Sequence, residues 1–202
     1  EIVHGDPVDY LTGASEDADL VVLDATGDGV SDAVVARARC PVTVVPSATR
    51  AASASPPPDA PVVVGVKDLA GSAHLVRFAA LEALRAQRPL LVLHSWTYPG
   101  PQVHDEAMMV LGQEKMRLLR HLVDPIAEAI PEVSVRAEVV QGRAEETLIT
   151  ASRSAALVVL GSREERWRSP RLLGPTRRRI LDSVACPAAT VPDAPASALA
   201  IA

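Results

Sequence analysis

Between Val62 and Val191 short apolar runs alternate with longer stretches in which apolar residues return every three or four positions. The runs VVVGV (62–66), LLVLHS (90–95), ALVVLG (156–161) and AATV (188–191) predict four strands. A fifth, VSVRAEVV (133–140), alternates only partly and reads as an edge strand. The stretches between them predict helices over 71–87, 104–130, 144–152 and 175–184. Leu75, Phe78, Ala79 and the apolar residues of 81–84 line the first, and Leu111, Leu119, Leu122 and Val123 line the second before Pro131 stops it. Strands joined through helices require right-handed crossovers. The predicted fold class is therefore α/β, a doubly wound five-stranded parallel sheet with helices on both faces, Rossmann-like. Ligands of such sheets sit beyond the carboxyl ends of the strands, where strand order reverses.

The same pattern occurs a second time in truncated form. HGDPVDYLTGASEDADLVVLD (4–24) aligns without a gap to QGRAEETLITASRSAALVVLG (141–161) at an offset of 137, Gly142 against Gly5 and Ser152 against Ser15. CPVTVVP (40–46) then aligns to CPAATVP (186–192) at an offset of 146, so the first copy is nine residues shorter between its strand and its cysteine. The expected organisation is a C-terminal domain portion over 1–46, a Pro/Ser/Ala linker over 47–60, a complete domain over 61–192 and a tail over 193–202. Unequal copies leave two expectations: a two-repeat protein with about 75 residues ahead of Glu1, or a first repeat that is genuinely partial.

Composition narrows the classes. Hydrophobic residues make up 48% and aromatics 2%, so the core must be aliphatic, which favours an α/β layer structure over a β-sandwich. A net charge of −5 argues against general affinity for nucleic acid or anionic membrane. No run approaches the roughly 18 apolar residues of a membrane span, and EIVHGDPVDY lacks a signal-peptide layout; the expectation is a cytoplasmic protein. Lys67 and Lys115 are the only lysines, and arginine use with abundant alanine points to a GC-rich, bacterial genome. Cys40 and Cys186 each precede proline at a spacing that suits neither a metal knuckle nor a redox pair, and read as small buried thiols.

Taken in order, VVVGV, GSAHLVRFAALEAL, LLVLHSW, VVQGRAEETLITAS, ALVVLGSRE, LLG and CPAATVP resemble the universal stress protein family over 61–192, with the end of another such domain over 1–46. The resemblance implies a nucleotide loop, since ATP-binding members carry the pattern G-x2-G-x9-G-[ST]. There, glycines let backbone N–H groups approach the phosphates and a helix N-terminus adds partial positive charge. Gly161 and Gly174 stand at the first and last glycine positions, but Glu164 takes the second and Pro175 the hydroxyl position. A carboxylate about 4 Å from phosphate repels by about 1 to 4 kcal/mol, and proline removes both a donor and a hydroxyl. The resemblance also implies an aspartate at the end of the first strand, where Lys67 stands with Asp68 next to it. In the first copy Asp24 and Asp28 replace the glycines with only three residues between them.

The expectation is a degenerate nucleotide loop with no cofactor, and a non-catalytic stress-response or interaction module. The alternative is a sensor that keeps ATP, another nucleotide or an anion at Gly161, Ser162, Arg163, Gly174 and Thr176. Arg163, Arg166, Arg168, Arg171, Arg177, Arg178 and Arg179 read either as a solvated face paired with Glu164 and Glu165 or as a binding site for a small phosphate or acidic partner. The family's last strand is used for dimerisation, so strands 41–45 and 188–191 are expected to pair, giving a pseudo-dimer between the repeats; a homodimer through the same strands is the other arrangement.

Other side chains read as structural. His94 borders the cleft without a Ser or Cys nucleophile at a known spacing, and His74, His104 and His121 lack a ligand set of zinc spacing. Ser72 is expected to cap the first helix, and Met108 and Met116 to pack in a core or interface. No G-x-S-x-G, H-E-x-x-H, P-loop lysine or EF-hand pattern is present, so no catalytic residue and no metal site are expected.

Overall fold

A computed structural model describes residues 4–25, 29–47, 56–98, 105–162 and 174–193. The elements run α1 (Pro7–Ala14), β1 (Val21–Asp24), α2 (Val30–Arg37), β2 (Val42–Val45), β3 (Val62–Gly65), α3 (Ala73–Ala86), β4 (Leu90–Trp96), α4 (Asp105–Ala129), β5 (Val135–Gln141), α5 (Ala144–Ala151), β6 (Leu157–Gly161), α6 (Pro175–Ser183) and β7 (Ala188–Val191). Each predicted strand and helix is present, with ends shifted by up to two residues.

All strands join one seven-stranded sheet in the order β1-β2-β7-β6-β3-β4-β5. The expected five-stranded parallel sheet is formed by β3 to β7, with β5 at an edge as its partial alternation implies. β1 and β2 extend that sheet rather than forming a separate unit. They are parallel to each other, and β2 runs antiparallel to β7 in the register Val42↔Thr190, Thr43↔Ala189, Val44↔Ala188. Under the repeat offset, Ala189 is the counterpart of Thr43, and the two pairs on either side exchange roles. The ladder is thus self-complementary about Thr43 and Ala189.

Both faces of the sheet are covered. On one, Val62, Val64 and Val92 pack with Leu75, Val76 and Ala79 of α3 and Leu119 and Leu122 of α4. On the other, Val63, Leu93 and Val158 pack with Leu148 of α5, Ile180 and Leu181 of α6, and Val34 of α2. The small aliphatic residues let helices approach closely: a Cβ on Gly65 would come within 2.7 Å of a Leu148 methyl.

Aligned segments share local geometry. Gly5 and Gly142 precede α1 and α5 with φ of +143° and +149°, values that L-residues with a Cβ rarely adopt. Ser15 ends α1 with its hydroxyl donating to Thr12 O at 2.6 Å and accepting from Arg39 N at 2.9 Å. Ser152 ends α5 likewise, donating to Ile149 O at 2.7 Å and accepting from Ala185 N at 3.0 Å. Each serine thereby holds the residue in front of a buried Cys-Pro turn.

Candidate functional site

Strand order reverses beside β3, which lies between β4 and β6. By topology a ligand cleft belongs above this point, where the turn after β3, the ends of β6 and β7 and the first turns of α3 and α6 come together. Lys67 is exposed there, and Asp68 folds back so that its Oδ1 accepts the Ala70 N–H at 3.0 Å. α3 begins after Ser72, which occupies the N-cap position and is buried, yet its side chain makes no capping hydrogen bond. Its φ of −105° and ψ of 16° depart from the extended backbone that aims a capping hydroxyl at the helix, so the expected role of Ser72 is not the observed one.

Gly161 closes β6, with Leu75 of α3 lying over it 3.4 Å from where a Cβ would stand. Ser162 follows, and its bonds are made within the chain. Its N–H donates to Val191 O at 2.7 Å, and its Oγ accepts the Asp193 N–H at 3.2 Å. Gly174 is the N-cap of α6 and its carbonyl accepts the Arg178 N–H at 3.0 Å. Pro175 is the first helical residue and exposed Thr176 the second. Arg163, with Glu164, Glu165, Arg166, Arg168 and Arg171, lies outside the described residues.

The three arginines of α6 diverge. Arg178 Nε lies 3.3 Å from Asp32 of α2 and 4.0 Å from Asp182. Burial raises the Asp32 carboxyl above its ordinary value, the charge of Asp182 adds to that, and Arg178 opposes both. Arg179 helps to hold Glu145 below the usual carboxylate range, a shift led by the backbone N–H of Glu145 and aided by Arg143 at 2.7 Å. Arg177 is half-buried; burial lowers its pKa and the charge of Asp193 raises it. Among the described residues the acids that meet these arginines are Asp32, Asp182, Glu145 and Asp193, while Glu164 and Glu165, the partners that sequence spacing suggests, lie outside the described residues.

His94, at the end of β4, is 5% exposed. Its Nδ1 lies 2.9 Å from Val66 O, which places the proton on Nδ1, and the buried Nε2 has no hydrogen-bond partner among the described residues. Burial holds its pKa below the ordinary 6.5; the Val66 carbonyl opposes that and the charge of Lys115 adds to it. This ring ties β4 to the turn after β3, a structural task in keeping with the sequence reading. His74 is different: in the first turn of α3, its Nε2 lies 3.5 Å from Asp193 Oδ1. His121 is exposed on α4, where it lines a shallow groove of about 480 Å³ with Met116, Arg117 and Arg120, away from the strand ends. Met108 and Met116 are half-buried, and His104 lies outside the described residues. Among the described residues no three His, Cys, Asp or Glu side chains come together as a metal ion requires. The sequence pattern puts Asp193 in the tail. Its one sequence signal is its place two residues beyond the apolar run of β7, at the carboxyl end of a central strand.

Both thiols are buried. Burial raises the Cys40 pKa and pushes that of Cys186 up to about 12, so neither is a nucleophile at neutral pH.

Comparison with known proteins places this geometry in a family. The model of the universal stress protein family matches residues 60–192. Universal stress protein MT2052 of Mycobacterium tuberculosis is 31% identical over 213 residues, covering 97% of this chain and 66% of its own length. The chain thus spans 66% of the curated relative it matches. Among solved structures, a universal stress protein from Archaeoglobus fulgidus superimposes with a TM-score of 0.65 at 15% identity, covering 95% of this chain and 68% of that one. A universal stress protein in complex with cAMP gives a TM-score of 0.50 at 19% identity, covering 67% of this chain and 98% of that one. No helix among the described residues is long and apolar enough to cross a membrane.

Proposed function

Since the chain belongs to the universal stress protein family, we propose that it is a non-catalytic stress-response and interaction protein of the bacterial cytoplasm whose nucleotide cleft has lost ATP. The start of α6 carries this reading. A helix N-terminus holds phosphate through its first unpaired N–H groups. Here Gly174 keeps the N-cap position, but the first helical residue is Pro175, with neither an N–H nor a hydroxyl to offer. Across the cleft the Ser162 hydroxyl already serves Asp193, and the strand-end position suited to a carboxylate is Lys67. No cofactor and no catalytic step are assigned. The self-complementary β2–β7 ladder supports a pseudo-dimer between the two repeats, with a homodimer through the same strands as the other arrangement.

Calorimetry with ATP tests the reading. No binding tighter than about 10 µM, or about 7 kcal/mol, is expected. Tighter binding by the unmodified chain would sink it. Reverting Glu164→Gly together with Pro175→Ser is expected to raise ATP affinity. A second reading, a sensor that retains a nucleotide or anion at Gly161, Ser162, Arg163, Gly174 and Thr176, draws on the surviving glycine spacing and on the cAMP complex of a structural relative. Nucleotide in the supernatant of heat-denatured purified protein, identified by mass spectrometry, would favour it.

A further inference from the structure

The seam between the copies joins counterpart positions. In the sheet Thr43 of β2 faces Ala189 of β7, and on one face of it α2 and α6 pack into the same core. The offset of 146 residues relates these helices too: Ala38 N–H donates to Val34 O at 2.8 Å in one, and Val184 N–H to Ile180 O at 2.9 Å in the other. Under that offset Asp32 and Arg178 are one position, and their side chains meet at 3.3 Å. A position that meets its own counterpart lies on the local twofold axis. A seam between two first copies therefore sets Asp32 against Asp32, and one between two second copies sets Arg178 against Arg178. Asp182, 4.0 Å from Arg178, offers a second pair of arginines their acid, but its counterpart on α2 is Ala36. Arg37, the one cation in the sequence of α2, is already held by Asp9 at 2.7 Å. Composition follows the same sense. Residues 1–46 carry nine acidic and two basic side chains, net −7, and residues 61–192 carry fourteen and seventeen, net +3.

We propose that the seam selects unlike copies: the Asp32–Arg178 contact fits the acidic first-copy surface of β2 and α2 to a second-copy surface of β7 and α6, and rejects another first-copy surface. The proposal rests on the reading of the two repeats as a pseudo-dimer and names what decides their pairing. The β2–β7 ladder does not decide it, because its backbone register is self-complementary. Exchanging two mixed seams for two like ones gives up the Asp32–Arg178 contact twice and sets two carboxylates together, which electrostatics opposes. Two second copies still have Asp182 for each Arg178, so the discrimination falls on the first copy. Within the mixed seam Arg178 lies between Asp32 and Asp182, and its removal takes away the cation they share. The Asp32 side chain is 27% exposed, so water screens the contact only in part.

Charge exchange tests the contact. Arg178→Asp is expected to lower the thermal midpoint by about 3 °C or more at low salt, and by much less in about 1 M NaCl, where the screening length is roughly 3 Å. Adding Asp32→Arg is expected to restore most of the loss. A loss indifferent to salt, or an exchange that restores nothing, overturns the proposal. The exposed Arg178 also takes Arg178→Gln, which carries a smaller loss of the same salt dependence should Arg178→Asp fail to fold. Partner choice is read with Thr43→Cys, which brings two introduced thiols together in a seam of two first copies and faces Ala189 in a mixed one. The chain is refolded at high protein concentration, mildly oxidised and mapped by mass spectrometry. With Asp32 and Arg178 intact, almost no link between chains through the introduced thiol is expected; with Asp32→Asn and Arg178→Gln added, several times more. Equal linkage in both overturns the proposal. Thr43→Cys with Ala189→Cys tests the underlying reading by itself: without a link inside one chain the pseudo-dimer fails, whatever the charges do.

Discussion

Ser15 and Ser152 perform one task in two places: each closes a helix, bonds back into its last turn and accepts the N–H of the residue before a Cys-Pro turn. Gly5 and Gly142 likewise take the same positive-φ backbone at the entry to those helices. At the strand ends the copies part. β1 finishes on exposed Asp24, whereas β6 finishes on Gly161 beneath Leu75, with Ser162 bound to Asp193. What holds backbone is the same in both places, and the residues that end the two strands differ. Packing tolerates no gap in either copy, because a buried N–H without a partner is costly wherever it occurs. A cleft open to water imposes no such demand.

Three measurements would break or sharpen that comparison. Ser15 and Ser152 are 1% and 2% exposed, so Ser15→Ala and Ser152→Ala each strand a backbone N–H and are expected to cost about 1–3 kcal/mol. Both should lower a single unfolding transition by about 2–4 °C for each kcal/mol lost. Two separate transitions, each sensitive to only one serine, would show that the copies are energetically independent despite the shared sheet.

His94 probes the complete copy alone. Its pKa lies below 6.5 in the folded chain, so on acidification the unfolded chain takes up the proton first. Stability is therefore full above about pH 6.5 and falls as pH drops toward the folded-state value, by at most about 1.4 kcal/mol per pH unit from this group. Chemical denaturation between pH 7.5 and 5.5 should show this slope and His94→Gln should flatten it; an unchanged slope in the variant would exclude His94 as its source. The smallest effect is expected at the seam. Thr190 is buried with no partner for its Oγ1 among the described residues, and its counterpart in the first copy is Val44. Thr190→Val should stabilise by about 1 kcal/mol or less, since it removes an unsatisfied hydroxyl without changing shape; a loss would mean that the hydroxyl has a role in the ladder.

The fold was legible because aliphatic runs and helical spacing are strong local signals, and the pairing of 41–45 with 188–191 followed from two strands that each needed a neighbour. The site was legible only in outline. Gly161, Ser162 and Gly174 stand at strand and helix ends, as their spacing indicated. Their partners were not legible, because Asp193 reaches Ser162 and His74 from separate elements, and Asp32 reaches Arg178 from the other copy. Ser72 shows the reverse failure: its residue type and position signal a cap, but the cap bond also depends on a backbone angle that spacing does not encode.

The reversal of direction at β2 and β7 gives the sheet two opposite rims. Asp24 opens on one and Gly161 on the other, separated by strands of four or five residues, about 15 Å of sheet height. A partner that reads both copies must straddle that height, so small molecules are confined to one rim and only a macromolecule can bridge them.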